Sequence, residues 1–285
     1  MPTPFTHLRL ATPMLDPANE WLTPAVAELL QSHPGPFLLG STAPDVRNIS
    51  PLSRRQTHFC PVPPDPLRPA TETMLQTWPS LSRPLELPPE QAAFVAGFVA
   101  HLWFDEFWHR RIILPYFLSR DRWGTHQHRF RVYHILLGYL DVRDKEELDG
   151  AVGAAMQETE PAGWLPFVSD ADLDAWRDFV AGQLLPGGIS RTVAILARRA
   201  RMDAVEFLEL VSSEEQMDDE VFVRTPRTAV EQAYADGAPG SAQVVTRYLQ
   251  GNLDCAATLG QAPRQDPRRE TCSGSLAATE RPRSA

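Results

Sequence analysis

Apolar positions along this chain recur at steps of three and four, and the segments they mark begin and end on helix signals. "TPAVAELLQSH" (23–33) offers Thr23 as N-cap and Pro24 at the first helical position, where a missing N–H costs nothing. The longest apolar stretch, "LPPEQAAFVAGFVAHLWFDEFWHRRIILPYF", starts behind Pro89 and runs until Pro115 interferes, which predicts a long central helix. "GTHQHRFRVYHILLGYLDV" follows after a short break. "RDKEELDGAVGAAMQ" and "SDADLDAWRDFVAGQLL" open on Asp or Ser caps with early carboxylates, and "PGG" stops the second. "SRTVAILARRARMDAVEFLELVSS" and "PRTAVEQAYADG" complete a helical carboxy-terminal half. Period-two alternation flanked by hairpin turns does not occur, so the expected fold class is all-α, a multi-helix bundle.

Two proline-rich connections, "CPVPPDPLRPA" (60–70) and "PSLSRPLELPPE" (79–90), predict rigid linkers that let the chain wrap round the bundle. From residue 260 to 285 large apolar residues thin out and a disordered tail is expected, leaving 1–259 as a single helical domain. With 285 residues and 43% hydrophobic content, the chain can bury a sizeable core. A net charge of −9 argues against broad, phosphate-driven binding to nucleic acid duplexes. Cys60, Cys255 and Cys272 lack CxxC spacing and fit a reducing compartment. The first residues show no basic region followed by an apolar run, and "AAFVAGFVAHLWF" is too short to span a bilayer. A soluble, cytoplasmic protein is the expectation.

The central helix spends polar residues in an apolar frame. His101, Asp105 and His109 stand four residues apart, so His101 and Asp105 lie one above the other and His109 drifts partly off that stripe. An imidazole and a carboxylate one turn apart form a chelating pair, although a core histidine bonded to a carboxylate would use the same spacing. Elsewhere, "FLLGSTAPDVRNIS" carries Asp45 after Pro44, and "RRQTHFCPVPP" carries His58 in an extended-looking segment. "PFTHLRLA" carries His7, and "FRVYHILLGYLD" carries His134 with Asp141 two turns on. His33, His126 and His128 sit beside polar neighbours at helix ends and read as ordinary surface residues. Buried carboxylates and imidazoles are costly unless paired, and a divalent metal is one partner that satisfies several at once. Nitrogen and carboxylate donors without cysteine suit zinc, with manganese or iron as alternatives.

Taken in order, "TH", "GSTAPD", "THF" and "AGFVAHLWFDEFWH" resemble the zinc-dependent phospholipase C family of bacteria, a distant relation of the fungal zinc nucleases that cleave single strands. The resemblance covers residues 3–141, and 142–259 adds helical completion. It implies an all-helical bundle of the phospholipase C and zinc nuclease type, holding two or up to three Zn2+ in a cleft that hydrolyses phosphodiesters. Asp45, His58, His101 and Asp105 would bind the first zinc, with Asp105 bridging to a second shared with His7. A third site would use His134 and His109. The glutamate that the family places one turn after that histidine is replaced here by Leu137 and Gly138. Asp141 is the remaining carboxylate, about 10 Å further along the axis by helix rise, so an altered third site is expected.

The resemblance implies a zinc-dependent phosphoric diester hydrolase acting on a lipid or small-molecule phosphodiester. In it, Asp45 would orient or deprotonate the attacking water. Arg47, Arg54 and Arg55 lie near that motif and are candidates to clamp a phosphate, with solvated surface charge as the alternative. A second reading is a catalytically inactive, metal-stabilised helical scaffold descended from the same family. An HD-type phosphohydrolase would need an adjacent His-Asp pair, and a ferritin-like di-iron bundle would need paired Glu-x-x-His motifs; the chain has neither.

Overall fold

A computed structural model describes residues 2–253 apart from 62, 66, 119 and 189, and every regular element among them is helical. Cys255, Cys272 and the tail expected at 260–285 lie outside the described residues. The chain enters as α1 (Pro4–Ala11), α2 (Pro24–Ser32) and α3 (Pro34–Thr42), and a 3-10 turn, Ala43–Asn48, leads on to the short α4 (Arg54–His58). α5 (Ala70–Thr77) and the 3-10 turns Pro79–Ser82 and Pro84–Glu86 precede the long α6 (Pro89–Trp108). After it come a π-helical segment, His109–Phe117, α7 (Arg120–Trp123) and α8 (His126–Glu146). α9 (Gly150–Gln157), α10 (Asp170–Leu184), α11 (Thr192–Ala200), α12 (Ala204–Val211), α13 (Glu214–Met217) and α14 (Arg227–Leu249) complete the bundle. No helix among the described residues is long and apolar enough to cross a membrane.

Several boundaries differ from the sequence reading, each for a local reason. Pro24 does open α2, but the Thr23 side chain makes no capping bond. Pro115 does not end the central helix; the backbone widens into π turns around it, with Leu118 N–H donating to the Ile113 carbonyl. The segment 190–213 breaks into α11 and α12 because Arg201 takes the left-handed conformation, φ 57°, and Asp203 caps the next helix. α14 runs past the expected stop to Leu249. Gly237 and Gly240 are not terminators there. A Cβ at either would strike the rings of Phe104 or Trp103, at 2.5 and 2.2 Å.

α6 is buried along almost its whole length, from Ala92 to Trp108, with Trp103 and Phe107 the partial exceptions. Up to Leu102 its side chains join the core shared with α2, α3, α5, α9 and α10. From Phe104 onward they join a second apolar cluster built with α8, α11, α12 and α14. His101 and Asp105 sit where one cluster gives way to the other.

The contact that fixes α6 is its crossing with α3. A Cβ at Gly40 would lie 1.9 Å from the Phe94 carbonyl oxygen, and one at Gly97 would lie 2.2 Å from that of Phe37. Only a pair of glycines lets the two backbones pass this closely. Gly97→Ala is therefore expected to force the helices apart and cost about 3 kcal/mol or more. Gly182→Ala, in α10 with nothing within 4 Å of the added carbon, is expected to gain up to about 1 kcal/mol. Denaturant unfolding of the two variants beside wild type checks the pair; equal effects would show that the crossing is not tight.

Candidate metal centre

Three elements bring their side chains to the seam on α6. α1 supplies His7; its position is fixed by Thr6, whose hydroxyl donates to Asp144 on α8 at 2.7 Å, while Tyr234 of α14 also donates to that carboxylate. The 3-10 turn after α3 supplies Asp45. Thr42, just before that turn, accepts a bond from the Trp176 indole of α10 at 3.1 Å. α4 supplies His58 and Arg54, one turn apart on one face. The extended segment expected here is instead a five-residue helix opened by a capping box between Ser53 and Gln56 and closed at Phe59, φ 54°.

Geometry gathers these groups tightly. The ligand atoms of His7, His101 and Asp105 lie within 4.8 Å of one another, as do those of Asp45, His58 and His101, and all five residues are buried. Asp105 is central: His58 Nε2 lies 3.4 Å and His101 Nε2 3.8 Å from its Oδ2, and His7 Nε2 lies 3.6 Å from its Oδ1. His58 Nε2 is also 3.5 Å from Asp45 Oδ1. These separations exceed ordinary N–H···O hydrogen bonds. Accordingly, the Nε2 atoms of His7, His58 and His101 and Oδ1 of Asp105 are buried without a hydrogen-bond partner. Each such atom costs about 1–3 kcal/mol.

The far ring atoms are held. His101 Nδ1 lies 2.9 Å from the Ser41 carbonyl, to which it donates, so Nε2 carries the lone pair. His58 Nδ1 lies 2.9 Å from the Thr57 hydroxyl. Such partners fix ring orientation and tautomer in metal-binding histidines. The His7 and His101 rings stack at 3.7 Å.

Electrostatics favour the same state. Burial pushes the His101 imidazole down to about 3, with its neighbour His7 adding to the effect, and burial likewise lowers His58. Burial alone would raise Asp45 and Asp105, but the histidines around both, and Arg54 beside Asp105, outweigh it and hold both below the usual carboxylate range. Neutral imidazoles and ionised carboxylates are the forms that bind a divalent ion. The donor set, its unpartnered atoms and their protonation fit one or two such ions.

The other sequence candidates divide. Arg54 donates to Asp105 Oδ2 at 3.2 Å. Arg47 and Arg54 line a cleft of about 510 Å³ that opens beside Asp45, and the Nε of each is buried without a partner. Arg55 is exposed and lies outside that lining. His109 and His134 line the cleft but join neither ligand group; His134 Nδ1 donates to its own helix at Phe130, and burial lowers its pKa to about 4. Asp141 is not brought to the centre. It is fully buried near Asp144 and accepts a long 3.5 Å bond from Ser190. Arg199, which sequence reasoning passes over, and His126, read there as an ordinary surface residue, also line the cleft, and Arg199 donates to Asn48 at 3.0 Å.

Compared with family models, curated proteins and solved structures, the chain matches none.

Burial raises the Asp141 carboxyl from 3.8 to about 8, a bond from Thr3 opposing and Asp144 assisting the rise. A folded pKa above the unfolded one stabilises fully below the unfolded value, and that contribution is lost as pH rises through the folded value. Asp141→Asn cannot ionise and escapes the loss. Its melting temperature relative to wild type is expected to be several degrees higher at pH 8 than at pH 5, as measured by thermal unfolding. A pH-independent difference would show an ordinary carboxyl.

Proposed function

We propose that this chain is a zinc-dependent hydrolase of phosphoester or phosphodiester bonds, similar in architecture and ligand set to the bacterial zinc-dependent phospholipases C. The observation that carries the reading is the convergence of three unpartnered imidazole nitrogens and a carboxylate oxygen beside a cleft lined by Arg47, Arg54 and Arg199. Asp45, His58 and His101 would hold one ion, and His7 and Asp105 would offer ligands to a second, because the single lone pair left on His101 Nε2 serves one ion only. What a divalent ion supplies there is Lewis acidity toward a phosphoryl oxygen and water made acidic enough to react at neutral pH.

The chain's own groups do the rest. Asp45 reaches the cleft as a carboxylate and is placed to accept a proton from water or to orient it. The guanidinium groups of Arg47, Arg54 and Arg199 offer paired N–H donors to phosphoryl oxygens. Ile113, Leu118, Phe130, Leu137, Phe179 and Ile195 make the rest of the lining largely apolar. Leu118 and Phe130 remain 44% and 47% exposed, so an apolar substituent on the ester would find a surface at the mouth. These features support an ester with one apolar arm, lipid or small molecule, as substrate.

A second reading, a metal-stabilised binding scaffold, draws on Leu137, which lines the cleft beside His134 where the resemblance calls for a carboxylate. Metal content by mass spectrometry and hydrolysis of bis(p-nitrophenyl) phosphate separate the two. Wild type is expected to carry two zinc ions and turn over; Asp105→Asn is expected to lose metal and roughly a hundredfold or more in kcat/KM. Arg54→Gln is expected to keep its metal and raise KM. Zinc without turnover would favour the scaffold, and a chain that takes up no metal would overturn both.

A further inference from the structure

Beside the cleft lies a second groove of about 550 Å³, lined on one side by the start of α8, with His126, His128 and Arg131, and on the other by the end of α11, with Arg199 and Arg201. It is not a separate feature. His126, Phe130 and Arg199 line both spaces, so the groove continues the cleft outward from the metal centre. Its lining holds three arginines and two histidines and no carboxylate. On a chain of net charge −9, that concentration of one sign is a local exception, and it attracts anions to the groove.

Arg199 stands at the junction. Its side chain is exposed, partial desolvation lowers its pKa, and its hydrogen-bond partner there is the neutral amide oxygen of Asn48. Arg201 is thrown toward the groove by the same left-handed turn that separates α11 from α12. A non-glycine residue in that conformation is strained, and here it places a guanidinium in the lining. Within the cleft, Arg47 and Arg54 already serve the ester at the metal centre. Arg131 and Arg201 line the groove and not the cleft.

We propose that the outer groove binds a second anionic group on the substrate, so that the preferred ester carries another phosphate beyond the scissile one. This rests on the hydrolase reading above for its inner group and on the groove alone for its outer one. A nucleotide and a phosphorylated lipid headgroup both present that chemistry.

The test is calorimetric titration of the full chain, wild type and the Arg131→Gln/Arg201→Asn double variant; asparagine tolerates the left-handed turn. Two probe pairs are used: thymidine 3′,5′-bisphosphate against thymidine 5′-monophosphate, and inositol 1,4-bisphosphate against inositol 1-phosphate. Wild type is expected to bind at least one bisphosphate tenfold or more tightly than its monophosphate, and the pair that shows the preference identifies the source. The double variant is expected to lose that preference while its monophosphate affinity stays within twofold. No bisphosphate preference in wild type overturns the proposal. So does a preference that survives in the double variant, because the second group would then lie elsewhere. Binding is read without turnover, so failure of the groove is distinguishable from failure of the hydrolase reading, which shows as absent hydrolysis of bis(p-nitrophenyl) phosphate by the metal-loaded wild type.

Discussion

The close passage of α3 over α6 governs the site. Because Gly40 and Gly97 present no side chains to each other's helix, the Ser41 carbonyl comes within reach of His101 Nδ1, and the opposite nitrogen is aimed at Asp105. The same passage delivers the end of α3, and with it the turn bearing Asp45, to the same point. An imidazole oriented in this way holds its lone pair toward the carboxylates without relying on them. The buried polar cluster is thus imposed by backbone contact from outside it, which is how an arrangement with several unsatisfied atoms persists inside an otherwise apolar seam.

Legibility followed sequence distance. The pairing of His101 with Asp105 was readable because both lie on one helix at a spacing of four, where geometry allows little else. The helical class was readable from periodicity. The shape around His58 was not, since the polar run looks extended until the Ser53–Gln56 capping box is recognised; that signal was present in "SRRQ". Asp141 was readable only as the remaining carboxylate near His134, about 10 Å further along the axis by helix rise, and it lies in a different buried pocket near Thr3. Arg199 could not be found at all. It reaches the cleft only because α11 packs along α8, a tertiary fact with no local mark.

Glycine was the least reliable punctuation. Gly237 read as a stop, yet it and Gly240 sit inside α14 because the Phe104 and Trp103 rings of α6 occupy the space their side chains would need. Arg201 went the other way, a residue with ordinary helix propensity that ends α11 in a left-handed turn. At Gly237 and Gly240 tertiary packing overrides local preference, because the rings of a neighbouring helix occupy the space.

The π-helical segment His109–Phe117 carries a consequence for how this protein tolerates change. A π turn holds one more residue than the α turn it replaces, and here the surplus brings Ile113 and Leu118 to the cleft while accommodating Pro115. Losing a single residue between Trp108 and Leu118 would rewind the segment and rotate both side chains away. The shape of the cleft wall is therefore encoded in chain length as much as in residue identity, and a one-residue deletion there is a larger perturbation than most substitutions.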